Sequence, residues 1–163
     1  MPLSGITNKI KEYLQQKKIF DVFRQSELSV ATDMVVATVK RNRESIVQAQ
    51  RIADYLISKN ELYYCSYGRR YLAIVASESD KDLLKRAFGK DIVNISDKVG
   101  MIIIQSPYEV NQVPGIIAYI GSIFSSRNVN IIEFFTANDD TLILIDEKDA
   151  YKMADVLKKI FGC

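Results

Sequence analysis

Residues 99–148 read VGMIIIQSPYEVNQVPGIIAYIGSIFSSRNVNIIEFFTANDDTLILIDEK, and the fold follows from how this stretch divides. Val99 to Ile104 is an apolar run without helical gaps, as a strand buried on both faces requires. The polar loop behind it closes on Gln112-Val113-Pro114-Gly115. Proline suits the first turn of a helix, where its missing N–H would be unpaired anyway. Ile116, Ile117, Ile120, Ile123 and Phe124 then fall on one helical stripe. Ser125 to Asn128 stop that helix, and Asn130-Ile131-Ile132 opens a strand. Asn138-Asp139-Asp140 is a hairpin turn into Leu142–Ile145. The predicted order is strand, helix, strand, strand.

Working outward, the same order recurs upstream. Met34–Val39 is rich in β-branched residues and suits a strand, although Asp33 before it would serve as a helix cap. Ser45–Ser58 is a helix with Ile46, Ala49, Ile52, Ala53, Leu56 and Ile57 on one face. Leu62–Tyr67, the Gly68 turn and Tyr71–Ala76 form a hairpin. Ser79–Phe88 is a helix and Asp91–Ser96 a short strand. YLAIVASESDKDLLKRAFG (Tyr71–Gly89) and TLILIDEKDAYKMADVLKKIFG (Thr141–Gly162) each run strand, acidic helix start, basic amphipathic helix and Phe-Gly. The spacing is about 70 residues, the length of one ferredoxin-like βαββαβ unit. Ahead of both copies, residues 4–25 read as a helix on Ile6, Ile10, Tyr13, Leu14, Ile19, Phe20 and Phe23, followed by a break at Ser26–Val30.

The chain is therefore α+β. It divides into an N-terminal helical segment (1–32), a first module (33–97) and a second module (98–163), each module with an antiparallel ferredoxin-like sheet. In the second copy the helix from Ala150 to Phe161 ends within two residues of Cys163, leaving no fourth strand downstream. An apolar sheet edge recruits strands, so the missing strand is expected from the first half of the chain, with Met34–Val39 or Asp91–Ser96 as donors, or from a second chain.

Composition narrows the function. Apolar residues are 48% and charged residues 26%, ordinary for a globular chain of this length. Twenty-two basic against twenty acidic side chains give +2, a balance that argues against a nucleic-acid partner. No apolar run reaches membrane-spanning length and no signal-peptide pattern opens the chain. With only Cys65 and Cys163, reduced thiols and a cytoplasmic setting are expected. There is no histidine, which removes the commonest general base, the commonest transition-metal ligand and every triad built on it. Phosphate-loop, dinucleotide and C-x-x-C motifs are absent too. Glu78, Asp80, Asp146 and Asp149 read as first-turn acids that favour a helix dipole. A non-enzyme is expected, with no cofactor and no metal.

Pro-Gly, an apolar helix, a polar break, Asn-Ile opening a strand, and a hairpin ending in Asp-Glu-Lys-Asp-Ala come in an order that resembles an ACT domain. The resemblance is closest to the tandem regulatory ACT region of aspartokinases, without their kinase domain. It covers Val99–Gly162 well and the first 32 residues not at all. It implies amino-acid binding and allosteric regulation. The loop Asn111, Gln112, Val113, Pro114, Gly115, the helix start Ile116, and Asn130 with Ile131 would then line an effector site between two modules. Physically, an uncapped helix N-terminus favours a carboxylate, Gly115 permits close backbone approach, and the Asn130 amide both donates and accepts. Many ACT domains have Asp where Gln112 stands, and a neutral amide pairs an amino group less strongly. The first copy has Lys40 to Glu44 (KRNRE) in place of Pro-Gly, which suits a structural role. The implied partners are a small amino acid, a second copy of the chain in a homodimer or higher oligomer, and an enzyme of amino-acid biosynthesis, with no membrane.

The alternative is an amino-acid-responsive transcriptional regulator with an N-terminal helix-turn-helix, which requires residues 33–40 to be helical. The first 58 residues carry nine basic and six acidic side chains, net +3. Lys40, Arg41, Arg43 and Arg69-Arg70 read as solvated charge, and Tyr63, Tyr64, Tyr67 and Tyr71 as core and interface.

Overall fold

The computed structural model describes residues 3–162. Its elements are α1 (Leu3–Phe23), β1 (Glu27–Lys40), α2 (Arg43–Ser58), β2 (Tyr63–Tyr67), β3 (Tyr71–Ser77), α3 (Lys81–Phe88), β4 (Ile92–Gln105), α4 (Ile116–Ser125), β5 (Ile131–Ala137), β6 (Asp140–Asp146) and α5 (Glu147–Phe161). The strands hydrogen-bond in the order β2-β3-β1-β4-β6-β5. The class is α+β, built from ferredoxin-like modules as the repeat predicts. Two compact units make up the chain, one of residues 31–100 and one of residues 1–30 with 101–163. Strands β1 and β4 each contribute residues to both.

Within the unit of residues 31–100, β1 pairs antiparallel with β3 from Met34↔Ser77 to Lys40↔Tyr71, and β2 pairs antiparallel with β3 from Tyr63↔Ala76 to Tyr67↔Leu72. Val35, Ala37, Val39, Leu72, Ile74 and Ala76 meet Ala49, Ile52 and Leu56 of α2 and Leu84 and Phe88 of α3 in one core. Asn42 starts α2 with a capping box: its side chain accepts from the Ser45 N–H at 2.8 Å, and its own N–H donates to Ser45 Oγ at 2.9 Å. Asn42→Ala removes that cap and is expected to cost about 1 kcal/mol, read as a lower urea midpoint at unchanged slope.

The other unit is the second copy with a borrowed edge. Ile102 and Ile104 of β4, Ile120, Ile123 and Phe124 of α4, Ile143 and Ile145 of β6, and Met153, Leu157 and Phe161 of α5 share one core. Strands β5 and β6 pair antiparallel from Ile131↔Ile145 to Ala137↔Asp140, with a bulge between Ile131 and Glu133. The fourth strand is Glu27–Val30, the start of β1, beside β4. The chain itself thus supplies the strand the second copy lacks. Neither expected donor does so; the donor lies in Ser26–Val30, which the sequence suggested was a break. Helix α1 belongs here as well, with Ile19, Val22 and Phe23 buried in the same core. The Phe23 and Phe161 rings stack at 3.7 Å between centroids. The predicted stripe residues Ile6 and Ile10, and Cys163, lie outside the described side chains.

Two further readings are corrected. Asp91–Ser96 and Val99–Ile104 are parts of the single strand β4. Residues 33–40 are strand throughout, so the helix-turn-helix alternative has no helix where it needs one. Strands β1 and β4 both run further than their alternation suggests, and for one cause. Asp33 (φ 55) in β1 and Lys98 (φ 51) in β4 adopt the left-handed region, which breaks the period of two as a bulge does. Before Asp33, Leu28 and Val30 pack on the core of α4 and α5; after it, Val35, Ala37 and Val39 face that of α2 and α3. The inward positions switch from even to odd numbers, and a strict alternation template loses the strand there. The reading of a strand buried on both faces holds: Val99 and Met101 are as fully buried as Ile102 and Ile104 on the opposite face.

Candidate functional site

The second copy opens a cavity of about 550 Å³ at the start of α4. Its apolar wall is Val110, Val113, Ile116, Ile117, Ile120 and Phe134, and its polar groups come from Asn111, Thr136, Asn138 and Thr141. After β4 the Ser106 N–H donates to the Asp139 carbonyl at 2.9 Å, tying the loop to the β5–β6 hairpin. Ser106 Oγ lies 3.0 Å from Ser26 Oγ, and both are buried. A 3-10 turn (Tyr108–Gln112) carries the chain to Pro114-Gly115. Gly115 has φ 89 and ψ 0 and is the N-cap of α4. A dihedral pair of that kind, with proline just before it, belongs to the third position of a type II turn. Pro114 therefore stands ahead of the cap, two residues before the first helical position Ile116 rather than in the first turn expected for it, and glycine is present because the turn needs a positive φ.

No side chain caps α4. The first backbone N–H groups of an α-helix have no intrahelical partner and carry the positive end of its dipole. Gly115, Ile116, Ile117 and Ala118 all line the cavity, so this free end opens into it. The first copy differs: its Asn42–Ser45 capping box pairs the Ser45 N–H of the first turn of α2. Its helix has 16 residues against 10 in α4. In the second copy a 3-10 turn and a Pro-Gly turn precede the shorter helix, and residues of both line the cavity. The C-terminal ends of α2 and α4 are, by contrast, alike. Asn60 (φ 59) and Asn128 (φ 55) are both left-handed, and the next residues, Glu61 and Val129, donate back to Leu56 and Phe124. This is a Schellman closure in both copies.

The eight residues expected from the sequence divide into three groups. Asn111, Val113, Gly115 and Ile116 line the cavity. Gln112 and Pro114 are exposed beside it. Asn130 and Ile131 line a separate cavity of about 410 Å³ with Gly121, Phe124 and Asn128, at the other end of α4. Ten helical residues put about 15 Å between the two ends. The sequence reading missed Phe134, Thr136, Asn138 and Thr141, which the hairpin brings across from β5 and β6. Asn138 was visible only as a turn residue; it is left-handed at φ 59, and its Oδ1 is 3.5 Å from Asn111 Nδ2.

Gln15 of α1 was missed as well. Its Nε2 donates to the Pro114 carbonyl at 3.0 Å, and a Cβ on Gly115 would sit 3.0 Å from that same nitrogen. Gly115→Ala is expected to cost about 1–2 kcal/mol from the left-handed backbone alone. The Gln15 amide is a flexible tip that moves aside, so adding Gln15→Ala should restore little. Urea melts of the two variants decide this.

Elsewhere the chemistry is quiet. Burial pushes the Cys65 thiol up from its ordinary range, which makes it a poor nucleophile. The Asp146 carboxylate caps α5 by accepting from the Lys148 N–H at 3.1 Å, and hydrogen bonds from the Lys148 side chain and backbone hold its pKa below the usual carboxylate range. The acids read as helix starts are thus placed as such: Glu78 and Asp80 stand just ahead of α3, and Asp149 is in the first turn of α5.

No protein-family model matches this chain, and no curated protein matches it. Solved structures do. The regulatory subunit of aspartate kinase from Thermus thermophilus, in its ligand-free form, superposes with a TM-score of 0.60 at 12% identity, over 81% of this chain and 94% of that one. A structure of aspartokinase alpha and beta subunits gives 0.61 at 16% identity, over 83% and 97%. E. coli aspartokinase III, in complex with aspartate and ADP, gives 0.59 at 12% identity over 81% of this chain, but only 32% of the enzyme. The chain has the fold of aspartokinase regulatory regions, as its resemblance to tandem ACT modules implies.

Proposed function

We propose that this chain is a non-catalytic regulatory protein that binds a small amino acid through its second module. It acts as a sensor or as an allosteric regulator of an enzyme of amino-acid metabolism. The observation that carries the reading is the uncapped N-terminus of α4 opening into a half-apolar cavity of about 550 Å³, a size that suits a small ligand. The α-carboxylate would dock on the N–H groups of Ile116, Ile117 and Ala118. The amino group would meet the amide and hydroxyl oxygens of Asn111, Asn138 and Thr141, and the ligand side chain the wall of Ile117, Ile120 and Phe134. No carboxylate lines the cavity, so a neutral or acidic amino acid fits better than a cationic one. Asn130 and Ile131 are too far along α4 to join this site within one module. Their place is the complementary half of a site completed by a second copy in a homodimer or higher oligomer. No helix among the described residues is long and apolar enough to cross a membrane, and a cytoplasmic setting fits the reading.

The test is a thermal-shift screen of the twenty amino acids at millimolar concentration. Ligand at 100 times its dissociation constant adds about 2.7 kcal/mol, which raises the melt of a chain this long by about 5–10 °C. Ala118→Glu supplies the control. Ala118 is exposed in the first turn of α4, where a carboxylate favours the helix yet repels the ligand's own. The variant should melt at or above the parent and lose the ligand shift. No stabilisation by any amino acid sinks the proposal.

A further inference from the structure

We infer that the end of the α2–α3 unit bearing the β2–β3 hairpin tip is a binding face for single-stranded nucleic acid. In the sequence its cations are two separate clusters, Lys40-Arg41-Asn42-Arg43 and Tyr67-Gly68-Arg69-Arg70-Tyr71. The fold makes them one. Lys40 and Tyr71 are cross-strand partners. The Arg41 N–H donates to the Arg70 carbonyl at 3.0 Å, and Arg41 Nη1 donates to the Gly68 carbonyl at 2.9 Å. Arg41 thus clamps the hairpin tip onto the end of β1, and Lys40, Arg43, Arg69 and Arg70 surround the clamp. All five are exposed, and none is in an ion pair among the described residues. Two acids adjoin the cluster: Asp91, which accepts from Asn42 Nδ2 at 3.1 Å, and Glu44; both line a small cavity with the further cations Arg86 and Lys90. The overall balance of +2 hides this local excess.

Charge alone would suit any polyanion; the aromatic rings choose among them. Tyr67 and Tyr71 flank the arginines, are 51% and 40% exposed, and stand on opposite faces of the hairpin. The Arg70 guanidinium lies 5.8 Å from the centroid of the Tyr71 ring. A basic track with exposed rings beside it holds single strands, because unpaired bases stack on the rings while phosphates meet the cations. Paired bases cannot stack in this way, because their faces are already covered by the neighbouring pairs. A bilayer would need aliphatic side chains to insert, and residues 40–43 and 67–71 include none. This reading is independent of the amino-acid site, which belongs to the other unit.

Fluorescence anisotropy of the full chain with a short labelled single-stranded RNA of mixed sequence tests it. The same RNA annealed to its complement and anionic lipid vesicles are the comparison ligands. Binding at micromolar protein that weakens as salt rises is expected. Arg69→Ala with Arg70→Ala removes two cations from a loop outside both strands, so the ladder survives. The pair should lower the slope of log affinity against log salt by about 1.4, at about 0.7 per cation. Tyr71→Ala should weaken single-strand binding about fivefold or more and leave duplex binding unchanged. Absence of binding, equal binding by the double arginine variant, or duplex or vesicles binding as tightly as the single strand each overturns the inference. A melt of every variant confirms that it is folded.

Discussion

Residues 98–163 produced alone will not give a soluble monomer with a sharp cooperative melt; they will aggregate or self-associate, whereas the full chain behaves well. This fragment holds everything the resemblance covers, and it still lacks two parts of its own unit. One is the strand Glu27–Val30, without which the edge of β4 is unpaired, and open edges recruit strands from other molecules. The other is α1, which buries Ile19, Val22 and Phe23 in the core of α4 and α5. At about 1.5–3 kcal/mol for each large apolar side chain removed from water, the three together contribute about 5–9 kcal/mol. A whole domain is stable by only about 5–15 kcal/mol, so the loss takes most or all of it. Appending residues 3–30 to the fragment through a long flexible linker should restore the melt, because both parts return. A monomeric fragment with a cooperative melt on its own would show that neither part is needed.

Phe23→Ala carries the second large effect. The side chain is 1% exposed and stacks on Phe161, also 1% exposed. Truncating a buried phenylalanine costs about 3–5 kcal/mol in lost transfer energy and residual cavity. For a chain of this length that lowers the melt by about 6–20 °C. Tyr13, on the same helix and 67% exposed, is the internal comparison: Tyr13→Ala should stay within about 0.5 kcal/mol. Calorimetry of both variants separates a helix docked through its C-terminal turns from one that merely precedes the modules. Equal, small effects would mean that α1 contributes nothing to the core.

The fold class and the repeat were legible because they rest on local patterns. The stripe from Ile116 to Phe124, the hairpin at Asn138-Asp139, and the two copies of strand, acidic start and Phe-Gly helix are each set by neighbouring residues, and each is present. Gly115 was singled out for close backbone approach to a ligand, whereas the structure gives it a further role, a turn with positive φ. The cavity was legible from one side only. The loop and helix start that form one wall are contiguous, whereas Phe134, Thr136, Asn138 and Thr141 reach the other wall through strand pairing.

What the sequence by itself determined was the set of elements and the chemistry they exclude. A chain without histidine, phosphate loop or paired metal-ligand motif declares that absence in its letters. Only the tertiary structure decided which elements belong together. The left-handed residues Asp33 and Lys98 interrupt the alternation of β1 and β4 partway along, so the sequence read β4 as two strands and only the later part of β1 as strand. Helix α1 and Glu27–Val30 joined the second copy, which begins about 70 residues later. Pairing across such a separation is selected by the burial of Ile19, Val22 and Phe23 and by the need to fill an open edge, and neither has a local signature. The same holds for Lys40–Arg43 and Arg69-Arg70, which become neighbours through the β1–β3 register. Local preferences act over one turn or one hairpin, while burial and strand pairing act over the whole chain, and that difference in range separates the two kinds of information.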